Sequence, residues 1–226
     1  MKKLIFTLLV CVSAFAANAQ VGYNYAQYDF GFSAGFNTTH TDFTNSKPGY
    51  AAHAHFTYNF TPYINYIAEL QVGTLRGDSL SAIIPGSHYN FNNNYSAVSF
   101  RAQLQMGEIL DYSQSRFFNA LKNFYISGGV GVIYTDLQVY DSGALSVESK
   151  GSNVFIPLKV GYEFKFFNDY NEPRLKFDIG YQHNLIMTDN FDGINYGSNQ
   201  DAFSQIVIGL KFAIGGTTSY RKSISY

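Results

Sequence analysis

Hydrophobic and polar positions alternate along Ile156 to Phe166, which runs I-P-L-K-V-G-Y-E-F-K-F. In an extended strand successive side chains point to opposite faces. Ile156, Leu158, Val160, Tyr162, Phe164 and Phe166 therefore share one face, and Pro157, Lys159, Gly161, Glu163 and Lys165 the other. The same period predicts seven further strands: Tyr28 to Asn37, Tyr50 to Phe60, Ile64 to Leu75, Asn94 to Gly107, Phe124 to Tyr134, Arg174 to Leu185 and Asp201 to Ile214. Period two does not say which face meets water. A soluble sandwich hides its apolar face, whereas a membrane barrel turns it out to lipid.

Two kinds of connection join these strands. Polar stretches at Thr38 to Gly49, Arg76 to Asn93, Asp141 to Asn153 and Ile186 to Gln200 predict long loops. Thr61-Pro62-Tyr63 and Asn168 to Pro173 predict tight turns, and Glu108 to Asn123 carries apolar positions suited to a short amphipathic helix. If the first strand starts on the periplasmic side, all four long loops fall outside. An even strand count also closes the sheet with no free edge.

The composition of the two faces then separates the alternatives. One face carries aliphatic and aromatic residues in every strand. The other carries Asp29, His53, His55, Glu69, Arg101, Lys159, Glu163, Lys165, Lys176, Asp178 and Lys211 among Gly, Ser and Gln. A soluble eight-stranded barrel must fill its interior with apolar side chains or a ligand, and the many Tyr and Phe are bulky for that. Small and charged residues suit a narrow lumen in which charges pair. The fold expected is all-β, an eight-stranded antiparallel up-and-down transmembrane β-barrel. On that reading Leu158→Arg should cost about 2–4 kcal/mol at the bilayer midplane, and Lys159→Gln less unless it strands a partner.

The first residues sharpen the compartment. Lys2 and Lys3, an apolar run from Leu4 to Ala16, and Ala17-Asn18-Ala19 match a cleaved secretion signal over residues 1–19. Residues 20–226 then form one barrel domain with a polar tail at 215–226. Cys11, the only cysteine, falls in that leader, which removes disulfides and cysteine-ligated metals from the mature chain. The net charge of −1 gives no field that would draw nucleic acid.

The run Gly209-Leu210-Lys211-Phe212-Ala213-Ile214 resembles the carboxy-terminal assembly signal of outer-membrane proteins, with Val207 where a polar residue is usual. Thr188-Asp189-Asn190-Phe191-Asp192-Gly193 resembles the T-D-x-x-D-G loop of small outer-membrane β-barrels of the OmpA-like and OmpX-like type. The resemblance implies a Gram-negative outer membrane, bilayer lipid around the wall, and the barrel-assembly machinery as a partner during biogenesis. No peptidoglycan-binding domain follows the barrel pattern, so a cell-wall tether is not implied.

Candidate chemistry is sparse. Asp189 and Asp192 with Asn190 offer oxygens to a hard cation, yet Asp, Asn and Gly at 189–193 are also what a solvated turn needs. His53 and His55 share a face and supply half of a metal site, with no third ligand placed by spacing, so polar lumen lining is favoured. Nucleophilic catalysis on lipid needs a Ser beside a His. His40, His88 and His183 are available, but no spacing singles out a triad. The chain is thus expected to need no cofactor and to be no enzyme. Its expected role is structural, or binding of a protein or surface ligand through the loops. A small porin-like channel or transporter, a lipid-modifying barrel enzyme and a secreted soluble ligand-binding barrel are the alternatives.

Overall fold

The computed structural model describes residues 22–40, 45–80, 88–112, 115–141, 144–187 and 202–221. They form β1 (Gly22–His40), β2 (Asn45–Lys47), β3 (Gly49–Asn59), β4 (Ile64–Leu80), β5 (His88–Gln105), α1 (Met106–Ile109), α2 (Arg116–Leu121), β6 (Phe124–Asp141), β7 (Ala144–Phe167), β8 (Pro173–Ile186) and β9 (Ala202–Arg221). Pro48, which has no N–H for a ladder, separates β2 from β3, so the two pieces act as one stave.

Every stave pairs antiparallel with its neighbours, and β1 pairs with β9 to close the ring. The result is an eight-stave up-and-down barrel, as the alternation predicts. Residues 60–63, 106–123 and 168–172 connect staves at the end where the described chain also starts and finishes. The other connections lie at the opposite end. Helices α1 and α2 occupy the middle connection of the tight-turn end, where the amphipathic pattern predicts helix. In the closing seam one residue of β1, Gln27, faces two of β9, Gly215 and Gly216. That bulge uses a backbone turn at Gly215 (φ 82°) which other residues rarely adopt.

The wall has a lipid-type exterior over a limited height. Exposed aromatics mark its two rims: Phe60 and Phe212 toward the tight turns, and Phe36, Tyr50 and Tyr134 toward the other end. Strand β3, 11 residues long, climbs the band between them. At roughly 3.3 Å per residue and a tilt of about 40° it rises about 28 Å, close to the apolar band of an outer-membrane barrel.

The staves run further than the alternation predicts. β4 and β5 have 17 and 18 residues, and β6 and β7 have 18 and 24, so much of the loops expected at Arg76 to Asn93 and Asp141 to Asn153 is strand instead. Part of Thr38 to Gly49 is strand as well, and residues 215–221 of the expected tail belong to β9, where they pair with β1. Ion pairing of exposed Lys150 with Asp136 and Glu148 decorates the projecting outer surface. The physical reason is that above the band the outside changes from lipid to water, so polar residues replace apolar ones there without ending the ladder.

Pro157 neither ends its strand nor forms a bulge, although a proline in a ladder favours one or the other. The β6–β7 ladder runs Gly128 with Leu158 and then Gly131 with Phe155, at one register, and omits the positions between. Toward β8 the pairing of Pro157 with Asn184 is intact. The missing donor is confined to one side of the strand.

Candidate functional site

The interior is filled in three layers. At the tight-turn end Tyr25, Tyr63 and Tyr112 are buried together, with Tyr220 packed against them. Rings of Tyr63 and Tyr112 meet edge to face, 5.8 Å apart, and the ammonium groups of Lys165 and Lys122 lie over them. Aromatic faces attract cations, which binds this floor to the charged layer above it.

The middle layer contains the charged residues that the alternation places inward: Asp29, Glu69, Arg101, Lys159, Glu163, Lys165, Lys176, Asp178 and Lys211, all with buried side chains. Arg101 donates to Glu69 at 2.5 Å, Lys176 to Asp29 at 2.5 Å, Lys159 to Asp178 at 2.6 Å and Lys211 to Glu163 at 2.7 Å. Lys211 also lies 3.9 Å from Asp178, and Lys165 3.8 Å from Glu163. Lys165 further donates to the Pro62 carbonyl and to Gln105. Each carboxylate is thus matched by a cation from another strand or from its own, which is what makes four acids tolerable in a space without bulk water.

His53 and His55 point into the same layer. His53 Nδ1 lies 3.4 Å from Glu69, and both rings pack over glycines of β1, His55 over Gly31 and His53 over Gly35. Any side chain at Gly31 would collide with the His55 ring. Among the described residues no cluster of three or more His, Cys, Asp or Glu suits a metal ion. The candidate cation loop, Asp189, Asn190, Asp192 and Gly193, lies outside the described residues.

Uncharged residues that sequence reasoning did not single out complete the layer. Gln71 donates to Glu69 at 2.7 Å, Gln105 to Glu163 at 3.0 Å and Asn59 to Asp29 at 2.9 Å. Tyr125 lies across Gly161 and Gly180, where added methyl groups would come within 2.6 and 2.8 Å of its hydroxyl. All of them sit on the inward phase of their strands, and phase was the available signal.

The third layer departs from expectation. Toward the long-connection end the interior is apolar, not polar: Leu75, Phe91, Ile133, Leu137, Phe155, Ile186 and Phe203 are buried against one another. Tyr95 joins this plug to the polar layer, accepting hydrogen bonds from Gln205 at 2.9 Å and Asn37 at 3.3 Å. The residues that a lipid-facing wall carries outside are here carried inside, as in a soluble barrel.

Of the histidines considered for catalysis, His183 lies on the outer wall with its Nδ1 2.9 Å from Ser204 Oγ. The Tyr181 hydroxyl donates to that same oxygen at 2.7 Å. Ser204 is only 4% exposed, which leaves its oxygen poorly placed to attack a substrate.

A closed ladder, an apolar belt outside and paired charges within define a transmembrane β-barrel of the small eight-stranded outer-membrane type. No family model and no curated protein matches the chain. Among solved structures it is similar to the attachment invasion locus protein Ail of Yersinia pestis, at 10% identity and a TM-score of 0.47, over 83% of this chain and 98% of that one. It is also similar to Neisserial surface protein A, at 13% identity and a TM-score of 0.42, over 84% and 98% of the two chains. The outer membrane protein AlkL, determined in lipid bilayers, aligns at 13% identity and a TM-score of 0.33 over 89% and 94%. These are likenesses of outline. The fold assignment rests on this chain's own pairing and faces.

Proposed function

We propose that the chain is an integral outer-membrane barrel that acts as a closed scaffold presenting a surface for interaction at its projecting end. The observation that carries this reading is the filled interior: a tyrosine floor, a paired-charge layer and an aliphatic-aromatic plug follow one another along the axis. Eight strands enclose little more than their own side chains, and apolar side chains that fill a cross-section leave an ion no hydration path. The secretion signal supports export, and the belt of apolar side chains supports lipid around the wall. Binding then belongs to the projecting strand ends and the connections between them, held on a rigid frame.

Two measurements test this. Cell fractionation should recover the protein with the outer membrane, migrating faster on gels before boiling than after, and recovery in the soluble fraction would refute the location. Purified barrel in planar bilayers should give no stable conductance steps. Reproducible steps would replace the scaffold reading with that of a small channel.

A further inference from the structure

Above the apolar band the outer face of β5 changes character. Four of the five residues from Asn90 to Asn94 are asparagine. Asparagine is depleted from strands, because its side chain bonds nearby backbone in competition with the ladder. Threonine would meet water there at a lower cost to the strand. Asn93 points inward and is buried, while Asn90, Asn92 and Asn94 lie on the outward phase that Val98 and Phe100 occupy lower down. Register sets each of these three beside a residue of β6: Asn90 beside Tyr140, Asn92 beside Gln138 and Asn94 beside Asp136. On the other flank Arg76 of β4 pairs with Asn92, and Thr74 with Asn94. The centre of this face is thus built from planar amide and carboxylate groups beside one aromatic ring.

Height narrows what can cover it. Tyr134, in the upper aromatic rim, pairs with Ser96, one outward step below Asn94. Each further step of two residues along a strand tilted about 40° rises about 5 Å. Asp136, Gln138 and Tyr140 therefore stand about 5, 10 and 15 Å above the rim. The headgroup layer on one side of a bilayer is only about 5–8 Å thick. The face begins in that layer and continues past it, on the same wall and in the same phase as the lipid-facing residues below. A molecule that covers the whole face while anchored in the bilayer must reach further from the hydrocarbon than a phospholipid headgroup does.

The chemistry of the face narrows the occupant further. Lys150 pairs in register with Asp136 and lies 3.2 Å from it and 3.8 Å from Glu148, so the charges on the β7 flank largely cancel. A phosphate or sulfate is best held by clustered cations, which the amide rows do not supply. Each Asn or Gln amide instead presents a donor and an acceptor side by side. That pattern matches neighbouring hydroxyls on a sugar ring. Tyr140, whose hydroxyl donates to Gln138 at 3.0 Å, adds an aromatic ring for the C–H side of a sugar.

We infer that this face binds the saccharide of an outer-leaflet glycolipid: uncharged, hydroxyl-rich sugars lie along Asn90, Asn92 and Asn94, and the lipid's acyl chains stay in the bilayer beside Val98 and Val132. The inference rests on the membrane placement proposed above and gives the projecting end one partner of stated chemistry.

The test uses full-length barrel refolded into phosphatidylethanolamine vesicles that carry a small fraction of lipopolysaccharide with its core saccharide, or of lipid A, which lacks that core. Glycolipid retained on each barrel after transfer to mild detergent is counted by native mass spectrometry. Wild type should retain the core-bearing form about tenfold better than lipid A, a difference that a few sugar hydrogen bonds supply. Asn90→Thr, Asn92→Thr and Asn94→Thr combined, a change that strands accept readily, should abolish the preference. Heat-dependent gel migration of both proteins confirms folding. Equal retention of the two glycolipids by wild type, or an undiminished preference in the triple variant, would overturn the site. Core saccharide cleaved from its lipid and bound as tightly as the intact glycolipid would overturn the assigned source, and would make the face a receptor for free glycans. If wild type fails to insert into the vesicles at all, the membrane placement fails first and the site with it.

Discussion

Glu163→Gln is expected to lower the stability of the folded barrel by about 3–5 kcal/mol, the usual cost of removing one partner from a buried ion pair. Glu163 lies within reach of two lysines, Lys211 at 2.7 Å and Lys165 at 3.8 Å. It also accepts from Gln105 at 3.0 Å. A neutral amide keeps the shape but leaves Lys165 held by neutral oxygens and Lys211 by Asp178, 3.9 Å away. Adding Lys211→Met should restore much of the loss, because two opposite charges are then removed together. The fraction folded can be followed by gel migration across a urea series in vesicles. If the single variant unfolds at the wild-type midpoint, the layer is hydrated and its charges are weakly coupled.

The second large effect concerns the outer wall. Leu158→Arg should cost about 2–4 kcal/mol in a bilayer, since Leu158 is 46% exposed on the lipid face within the band. Ser152→Arg, on the same face of the same strand, should change stability by less than about 0.5 kcal/mol. It lies six residues higher, beyond Val154, next to the exposed Lys150 region. The two substitutions differ in height and not in face, so equal costs would refute the assigned position of the bilayer. Lys159→Gln is a less clean comparison than the sequence suggests. It strips Asp178 of its 2.6 Å partner and leaves Lys211 at 3.9 Å.

Strand number, direction, face assignment and the inward set of charged residues were all legible from period-two alternation. What alternation concealed was a change of phase. In β6, Val130, Val132 and Tyr134 point outward to lipid, and then Leu137 and Val139 point inward. In β5, Phe91, Tyr95 and Ala97 point inward before Val98 and Phe100 point outward. Each strand keeps its period while its apolar residues switch sides, because lipid gives way to water outside and charge gives way to hydrocarbon inside. A reading that follows one phase loses the strand at the switch and sees a polar loop. At the other end Gly216, Thr217, Thr218 and Ser219 offer no apolar phase at all, and only pairing with β1 reveals them as strand.

The seam between β1 and β9 joins the two ends of the described chain, from Gly22 with Arg221 to His40 with Ala202. Asp29, beside that seam, is bound to Lys176, 147 residues later. Pairs so distant in sequence repay their loop-closure entropy only after the staves between them are in place. Closure is therefore the slow event of assembly, and re-opening means breaking that whole ladder together with a buried ion pair. Once shut, the barrel should persist through the height of its unfolding barrier, with a lifetime longer than its equilibrium stability alone would suggest.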